Sequence, residues 1–293
     1  MLNLNLKGLV EELKSKKYMR VLLQAPEGLK TRAGEISEAI EKEVGIETII
    51  SGEPCYGACD LPIEEAKLMG CGAIIHLGHS DFGVKTDVPV IYLPLEYRPE
   101  IPKGLEEKLR GLPEKNVSLY SSVQFKPALD WLEETLKKQG KTVEEKKIIL
   151  GCSEVKNDSE LSIFIGSGKF HPLAISAGNG RVLRIDLEKG EISDLSEHIK
   201  REQMKKFARL EKLKDAKSVG ILVSKKPGQF HKEFGELRKK LSQQGKRAEV
   251  LIFDEITDEK LLGLPYDAYI NTACPRILDN SFKKPVINLR DLE

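Results

Sequence analysis

The sequence predicts an α/β protein made of three similar small parallel-sheet domains. Three observations carry that prediction. Short apolar runs alternate with segments of helical period, the pattern of strands in a sheet covered by helices. The alternation recurs in units of roughly 100 residues, too long for a solenoid repeat and the size of a small domain. Each unit's long helical segment ends on a glycine (Gly45, Gly140, Gly245), the residue that closes helices most readily.

In the first unit, "RVLLQA" (20–25), "TIIS" (48–51), "AIIHLG" (73–78) and "PVIYL" (89–93) are the strand candidates. Between the first two lies "TRAGEISEAIEKEVG", with Ile36, Ile40 and Val44 on one helical face, and "IEEAKLMG" supplies a second helix. The second unit offers "NVSLYSSVQ" (116–124), the helix "PALDWLEETLKKQG" (127–140), then the strands "KKIILGC" (146–152) and "LSIFIGSG" (161–168). The third repeats the order with "SVGILVSKKPGQF" (218–230), "HKEFGELRKKLSQQG" (231–245), "RAEVLIF" (247–253) and "YDAYINTAC" (266–274). The joins fall in "YRPEIPKG" (97–104) and in a charged helix near 195–215. Domains are therefore expected at 1–104, 105–214 and 215–293.

Composition narrows the function classes. No apolar stretch approaches the roughly 18 residues a membrane span requires. The N-terminal "MLNLNLKGLVEELKSKK" is interrupted by charges and lacks a signal peptide's apolar centre. A cytoplasmic protein with reduced thiols is expected. The 47 basic and 46 acidic residues nearly cancel, which gives no electrostatic reason to expect direct nucleic-acid binding.

The five cysteines fall in a pattern. Cys55 and Cys59, in "GEPCYGACD", follow the second strand of unit one. Cys152 follows the second strand of unit two, and Cys274 the third strand of unit three. Ligands of parallel sheets bind beyond the carboxyl ends of the strands, so each unit places a thiol at its functional edge. Cys71 instead sits at a strand's entry between two glycines, where a buried small hydrophobe is expected. Three thiolates suit a 4Fe–4S cubane with one iron left open for substrate, since four would close it. Zinc fits poorly, because neither a Cys-x₂-Cys nor a His-x₃₋₅-His pair is present. Spacing alone leaves open whether Cys55 or Cys59 is the ligand of unit one, and whether these thiols bind metal at all.

Other motifs gather at the same edges. "QAPEGLK" (24–30) and "SKKPGQF" (224–230) occupy equivalent positions after the first strands of their units. They are either tight strand-to-helix turns or a ligand-holding rim in which Gln24 and Gln229 offer uncharged hydrogen-bonding groups. "GSGKFHP" (166–172) is either a turn or an anion-gripping loop aided by Lys169. In "HLGHSDF" (76–82), His76 is expected in the strand core and His79 and Ser80 at the site. Arg276, two residues beyond Cys274, is placed to grip a carboxylate through its planar fork. No G-x-x-x-x-G-K-[ST] loop is present.

At these residues the chain resembles a known family. "SGEPCYGACDLP", "HLGHSDF", "YLPLE", "GSGKFHPLA", "VSKKPGQF" and "NTACPRILDN" together are similar to the archaeal diphthamide biosynthesis enzymes, and the likeness runs from about residue 20 to the C-terminus. The resemblance implies a homodimer whose three α/β domains surround a central 4Fe–4S cluster. Carried over by motif, the ligands are Cys59 of "YGAC", Cys152 of "LGC" and Cys274 of "NTAC", and Cys55 and Cys71 are not. The implied reaction is one-electron cleavage of S-adenosylmethionine, with transfer of its 3-amino-3-carboxypropyl group to carbon 2 of a histidine in translation elongation factor two. An electron donor is then required. Gln24, His79, Ser80, Lys169, Gln229 and Arg276 are the candidate S-adenosylmethionine contacts. Ordinary radical S-adenosylmethionine enzymes hold their cluster in one C-x₃-C-x₂-C loop, and this chain completes only the first half of that motif.

Two other classes compete. Quinolinate synthase resembles the same three-domain plan with one cysteine each, its open iron serving as a Lewis acid. A non-catalytic chain holding a cluster for a partner is the second. "YGACDLP" and "NTACPR" favour the diphthamide family over the first, and the "PGQF" loop with all three cysteines argues against the second.

Overall fold

The computed structural model describes residues 2–3, 6–168, 171–177 and 180–292. The elements in chain order are β1 (Leu2–Asn3), α1 (Leu6–Ser15), β2 (Arg20–Gln24), α2 (Ala33–Val44), β3 (Glu47–Ile50), α3 (Ile63–Leu68), β4 (Ala73–Gly78), β5 (Val90–Pro94) and β6 (Glu96–Tyr97). They continue with α4 (Leu105–Arg110), β7 (Asn116–Ser121), α5 (Lys126–Lys138), β8 (Thr142–Ile148), β9 (Val155–Asn157), β10 (Leu161–Ile165), β11 (Ile175–Ala177), β12 (Arg181–Asp186), β13 (Glu191–Asp194) and α6 (Ser196–Asp215). The last are β14 (Ser218–Ser224), α7 (Phe234–Gln243), β15 (Arg247–Phe253), α8 (Asp258–Leu262), β16 (Ala268–Asn271) and β17 (Val286–Asn288).

Contacts divide the chain into two compact units. One comprises residues 1–98 with Lys226–Gly228, the other residues 99–225 with 229–293. The first unit holds the sheet β3-β2-β4-β5, all pairs parallel. Its strands alternate between two buried faces. Val21, Leu23, Ala73, Ile75 and Leu77 meet Leu9, Leu13, Ile36 and Ile40 of α1 and α2. Leu22 and Ile74 meet Leu61, Ile63 and Ala66 of α3 and the turn before it. Gln24 and His76 continue that second row one step nearer the carboxyl ends, and they are register partners across β2 and β4.

The second unit carries two main sheets, of five and four strands. In β13-β12-β10-β7-β8 all pairs are parallel except the β12–β13 hairpin, and in β15-β14-β16-β17 all are parallel. The glycines ending α2, α5 and α7 have φ of 74°, 79° and 77°, the left-handed turn the sequence pattern required.

One strand differs from expectation. The apolar run Ile148–Leu150 suggested a strand over 146–152, yet β8 spans Thr142–Ile148. β8 lies at the sheet's edge, where one side of the strand faces water, so the polar "TVEEKK" pairs with β7 and the apolar run carries the chain off the sheet. The strands β12, β13 and β17 had no sequence signal strong enough to be singled out. Among the described residues no helix is long and apolar enough to cross a membrane.

Candidate functional site

Each main sheet ends in a loop bearing one of the three motif cysteines. Cys59 lies between β3 and α3, Cys152 just beyond β8, and Cys274 at the start of a 3₁₀ turn after β16. None of the five cysteines forms a disulfide. Their exposure separates them. Cys55 and Cys71 are buried, whereas Cys59 and Cys274 are partly accessible and Cys152 is exposed. Burial pushes the Cys55 thiol up to about 12 and raises that of Cys71. Cys71 packs among Leu22, Leu61, Ile63 and Ile74 as the small hydrophobe expected.

The three loops share a construction. In each, a side chain donates to a backbone carbonyl at the cysteine or its neighbour. Gln24 Nε2 donates to the Asp60 carbonyl at 2.6 Å. Arg290 Nη1 lies 3.4 Å from the Cys152 carbonyl, and Asn271 Nδ2 donates to the Cys274 carbonyl at 2.9 Å. Asn271 also accepts the Ala273 N–H at 3.0 Å and donates to Asn288 Oδ1 at 2.7 Å, so the end of β16 pins its own loop against β17. Fixing the carbonyl limits how far the adjacent cysteine can wander.

In the first unit, the Cys59 loop is held from a second side by residues 226–228. The Gly228 N–H donates to the Cys59 carbonyl at 2.8 Å. Its Cα lies so close that a Cβ there would stand 2.6 Å from Cys59 Cα, a fit open only to glycine. Beside it, Lys226 Nζ bridges both Asp60 carboxylate oxygens at 2.7 and 2.8 Å and lies 5.2 Å from the Tyr56 ring centroid. The pair is largely removed from solvent, with side-chain exposures of 17% and 10%.

Behind this loop sits a buried polar row. Gln24 Oε1 is 2.7 Å from His76 Nδ1, and His76 Nε2 is 3.0 Å from His79 Nδ1. Cys55 Sγ joins the two imidazoles in a group whose donor atoms all lie within 4.8 Å of one another. Burial drives His76 down to about 3 and lowers His79, so both rings are neutral at physiological pH. His76 is the strand-core residue expected, and His79 is half-buried. Gln24 was expected on a ligand-facing rim. It is 3% exposed with both ends of its amide engaged, and it acts on the site through its neighbours.

In the second unit, Gly151 and Ser153 on either side of Cys152, and Pro275 next to Cys274, line one cleft of about 470 Å³ with Arg290 and Asn288. The two loops thus border a common space. Arg276 pairs with Asp279 at 3.4 Å and is half exposed. Its charge adds to burial in holding His171 down to about 4, and the His171 ring stacks on Phe164 with centroids 5.7 Å apart. Gln229 ends the turn Pro227–Gln229 and is half-buried; Ser80 is exposed. Lys169 lies outside the described residues.

Sequence reasoning missed Asp60, Lys226, Asn271 and Arg290. Asn271 was visible as the residue before "TAC", but nothing local reveals that an amide grips a carbonyl three residues on. Arg290 is 138 positions from Cys152, beyond any local signal.

The donor chemistry fits an iron–sulfur cluster. Of five thiols, the two buried ones are held protonated, and the three that solvent or a ligand can reach lie one to a sheet, at the carboxyl ends.

Comparison with known proteins agrees in range and in fold. The family model for diphthamide synthesis proteins matches residues 25–293. A 2-(3-amino-3-carboxypropyl)histidine synthase of Pyrococcus horikoshii is 35% identical over 97% of this chain and 88% of its own length. Its counterpart in Methanocaldococcus jannaschii is 28% identical over 97% and 87%. Among solved structures, Dph2 from Pyrococcus horikoshii with a 4Fe-4S cluster superposes with a TM-score of 0.90 at 34% identity, covering 100% of this chain and 90% of that one.

Proposed function

Because this chain belongs to the diphthamide synthesis family, we propose that it transfers the 3-amino-3-carboxypropyl group of S-adenosylmethionine to carbon 2 of a histidine in translation elongation factor two. The observation that carries the reading is the set of three reachable cysteines, one at the carboxyl edge of each main sheet, in a chain similar over its whole length to a cluster-bearing relative. Cys59, Cys152 and Cys274 would hold a 4Fe–4S cluster. When bound, the cluster supplies the electron that opens the bond between sulfonium and γ-carbon, releasing methylthioadenosine. Held by three protein thiolates, such a cluster would leave one iron for the methionine portion of the donor.

The protein's own part is positioning. Gln24, Arg290 and Asn271 fix the backbone of the cysteine loops, and Gly228 walls in Cys59. Pre-set loops spare the ordering cost that flexible ligands would add. Arg276 follows Cys274 by two residues, and its planar guanidinium suits a bidentate grip on the donor's carboxylate. His79, Ser80, Gln229 and Lys169 complete the proposed contact set. The three sheets correspond to three domains of one ligand each, the working form is a homodimer, and a separate reductant delivers the electron.

Two experiments test this reading. Under anaerobic reconstitution, Cys59→Ala, Cys152→Ala and Cys274→Ala each lose most bound iron, while Cys55→Ala and Cys71→Ala keep it. Iron loss confined to Cys55→Ala overturns the ligand set. With dithionite and S-adenosylmethionine, the cluster-loaded protein forms methylthioadenosine, and added elongation factor gains one aminocarboxypropyl mass on one histidine. 5′-Deoxyadenosine in its place means the other sulfonium bond is aimed at the cluster. No turnover by a fully loaded protein refutes the transferase reading in favour of Lewis-acid or structural use.

A further inference from the structure

Cys55 and His76 take no part in the proposed transfer, yet both are buried and meet His79 behind the Cys59 loop. Cys55 Sγ and one nitrogen from each ring all lie within 4.8 Å of one another. The spacing His76-x₂-His79 is shorter than the His-x₃₋₅-His of zinc fingers, and Cys55 comes from a separate loop, so only the fold unites the three. The Asp60 carbonyl can only accept, so the Gln24 atom 2.6 Å from it is the amide nitrogen, and Gln24 Oε1 faces His76 Nδ1 at 2.7 Å. His76 therefore carries its proton on Nδ1 and turns a bare lone pair at Nε2 toward His79 Nδ1, 3.0 Å away. Burial keeps both rings neutral, the form that binds metal. Metal-binding histidines nearly always donate their other ring N–H to an acceptor. Gln24 Oε1 is that acceptor for His76, and the Leu77 carbonyl hydrogen-bonds the His79 ring.

We propose that Cys55 Sγ, His76 Nε2 and a ring nitrogen of His79 bind one zinc ion, with none of the cluster cysteines among its ligands. One thiolate and two imidazoles are donors that zinc accepts, and its filled d shell imposes no geometry that three such groups would violate. With Zn–S of about 2.3 Å and Zn–N of about 2.0 Å, tetrahedral donors stand about 3.3–3.6 Å apart. The facing ring nitrogens at 3.0 Å are about 0.3 Å too close and no pair in the group exceeds 4.8 Å, so shifts of about 1 Å close the site. In the metal-free fold a His79 proton fills the space between the rings, and the ion takes its place. On binding, the Cys55 thiol loses its proton to solvent, as a coordinated thiol does. His79 keeps its one proton on the nitrogen that the ion leaves free. Zinc would thereby tie the loop that carries Cys59 to the carboxyl end of β4. With His79 ligated, Ser80 is left as that segment's contact to the donor.

The test uses full-length, cluster-loaded protein kept anaerobic, with zinc chloride added to one equivalent against a competing chelator of known affinity. Elemental analysis should count one zinc per chain with iron unchanged. X-ray absorption at the zinc edge should show one sulfur at about 2.3 Å and imidazole nitrogens at about 2.0–2.1 Å. Gln24→Leu, which frees His76 Nδ1, should weaken zinc binding about 10–100-fold, and Cys55→Ala, which keeps its iron, should weaken it further. Urea midpoints measured beside the zinc counts separate loss of a ligand from loss of the fold. Two or more sulfurs in the zinc spectrum place the ion on other cysteines and overturn the assignment, as does undiminished zinc in Cys55→Ala. Unchanged affinity in Gln24→Leu overturns the orienting role of the amide. Wild-type protein that takes up no zinc at one equivalent overturns the site outright, whatever its activity on S-adenosylmethionine.

Discussion

Gly228→Ala tests whether the Cys59 loop is held as tightly as its geometry requires. The added methyl carbon would stand 2.6 Å from Cys59 Cα, 2.7 Å from its Cβ and 2.9 Å from its carbonyl oxygen. None of these belongs to a flexible side-chain tip, so the loop or residues 226–228 must shift. Reaching ordinary contact at 3.4 Å from 2.6 Å takes about 0.8 Å. Overpacking of this kind costs about 1–3 kcal/mol, and the 2.8 Å bond from Gly228 N–H to the Cys59 carbonyl is strained with it. Metal–ligand distances tolerate only about 0.2 Å, so a displacement of that size at Cys59 should strip the cluster before it unfolds the protein. The assay is iron and sulfide per chain after anaerobic reconstitution, beside the urea midpoint. Gly235→Ala is the control, because nothing lies within 4 Å of the added carbon in α7. Expected are wild-type iron in Gly235→Ala, and less than half of it in Gly228→Ala with a lowered midpoint. Wild-type iron and midpoint in Gly228→Ala would refute the reasoning.

Lys226→Met should cost about 3–5 kcal/mol, because it leaves the Asp60 carboxylate buried with little more than the Tyr56 N–H at 3.4 Å. The double variant with Asp60→Leu should cost less than the sum of the singles, and strict additivity in urea unfolding would show the pair to be uncoupled. Stability should fall as pH drops below about 6.5, since the unfolded chain takes up a proton there that folded His76 refuses until about 3. The slope is at most about 1.4 kcal/mol per pH unit for this ring and vanishes above the unfolded pKa; a wild-type slope between pH 6.5 and 5 unchanged in His76→Gln would contradict the assignment. Asn271→Leu removes the grip on the Cys274 carbonyl and should lower iron retention with a smaller loss of stability, read by the same iron count. Light scattering at micromolar concentration should give about twice the chain mass of 32.8 kDa, and a monomer would remove the proposed dimer alone.

How much of this was legible in the sequence depends on the range of the interactions. Periodicity is local, so Ile36 and Ile40 announced α2, and Gly45 announced its end, without help from the rest of the chain. The same logic failed at β8, where an edge strand needs no apolar run and the apolar run belonged to the loop. The place of the motif cysteines in loops beyond strand ends was legible, because strand ends are a local signal; the choice of Cys59 over Cys55 came from the family resemblance alone. The grips on their loops were not legible. Gln24 meets Asp60 across 36 positions and Arg290 meets Cys152 across 138, and both contacts depend on which strands lie side by side.

His76 shows how a buried polar residue can be read correctly as to place while its hydrogen-bond partners stay hidden. Its position in "AIIHLG" marks a strand interior, and the ring is indeed fully buried. What sequence position leaves open is which partners lie at the two ring nitrogens. Period two along β2 and β4 puts Gln24 and His76 on one face, and parallel register puts them side by side at the strands' carboxyl ends. The amide's direction then follows from the Asp60 carbonyl, the tautomer of His76 from the amide, and that of His79 from His76. Each step is elementary hydrogen-bond chemistry, yet the chain of steps begins at a backbone oxygen that no sequence pattern marks. Gln24→Leu should therefore release both the Asp60 carbonyl and the His76 ring, two contacts that lie 36 and 52 positions from it in sequence.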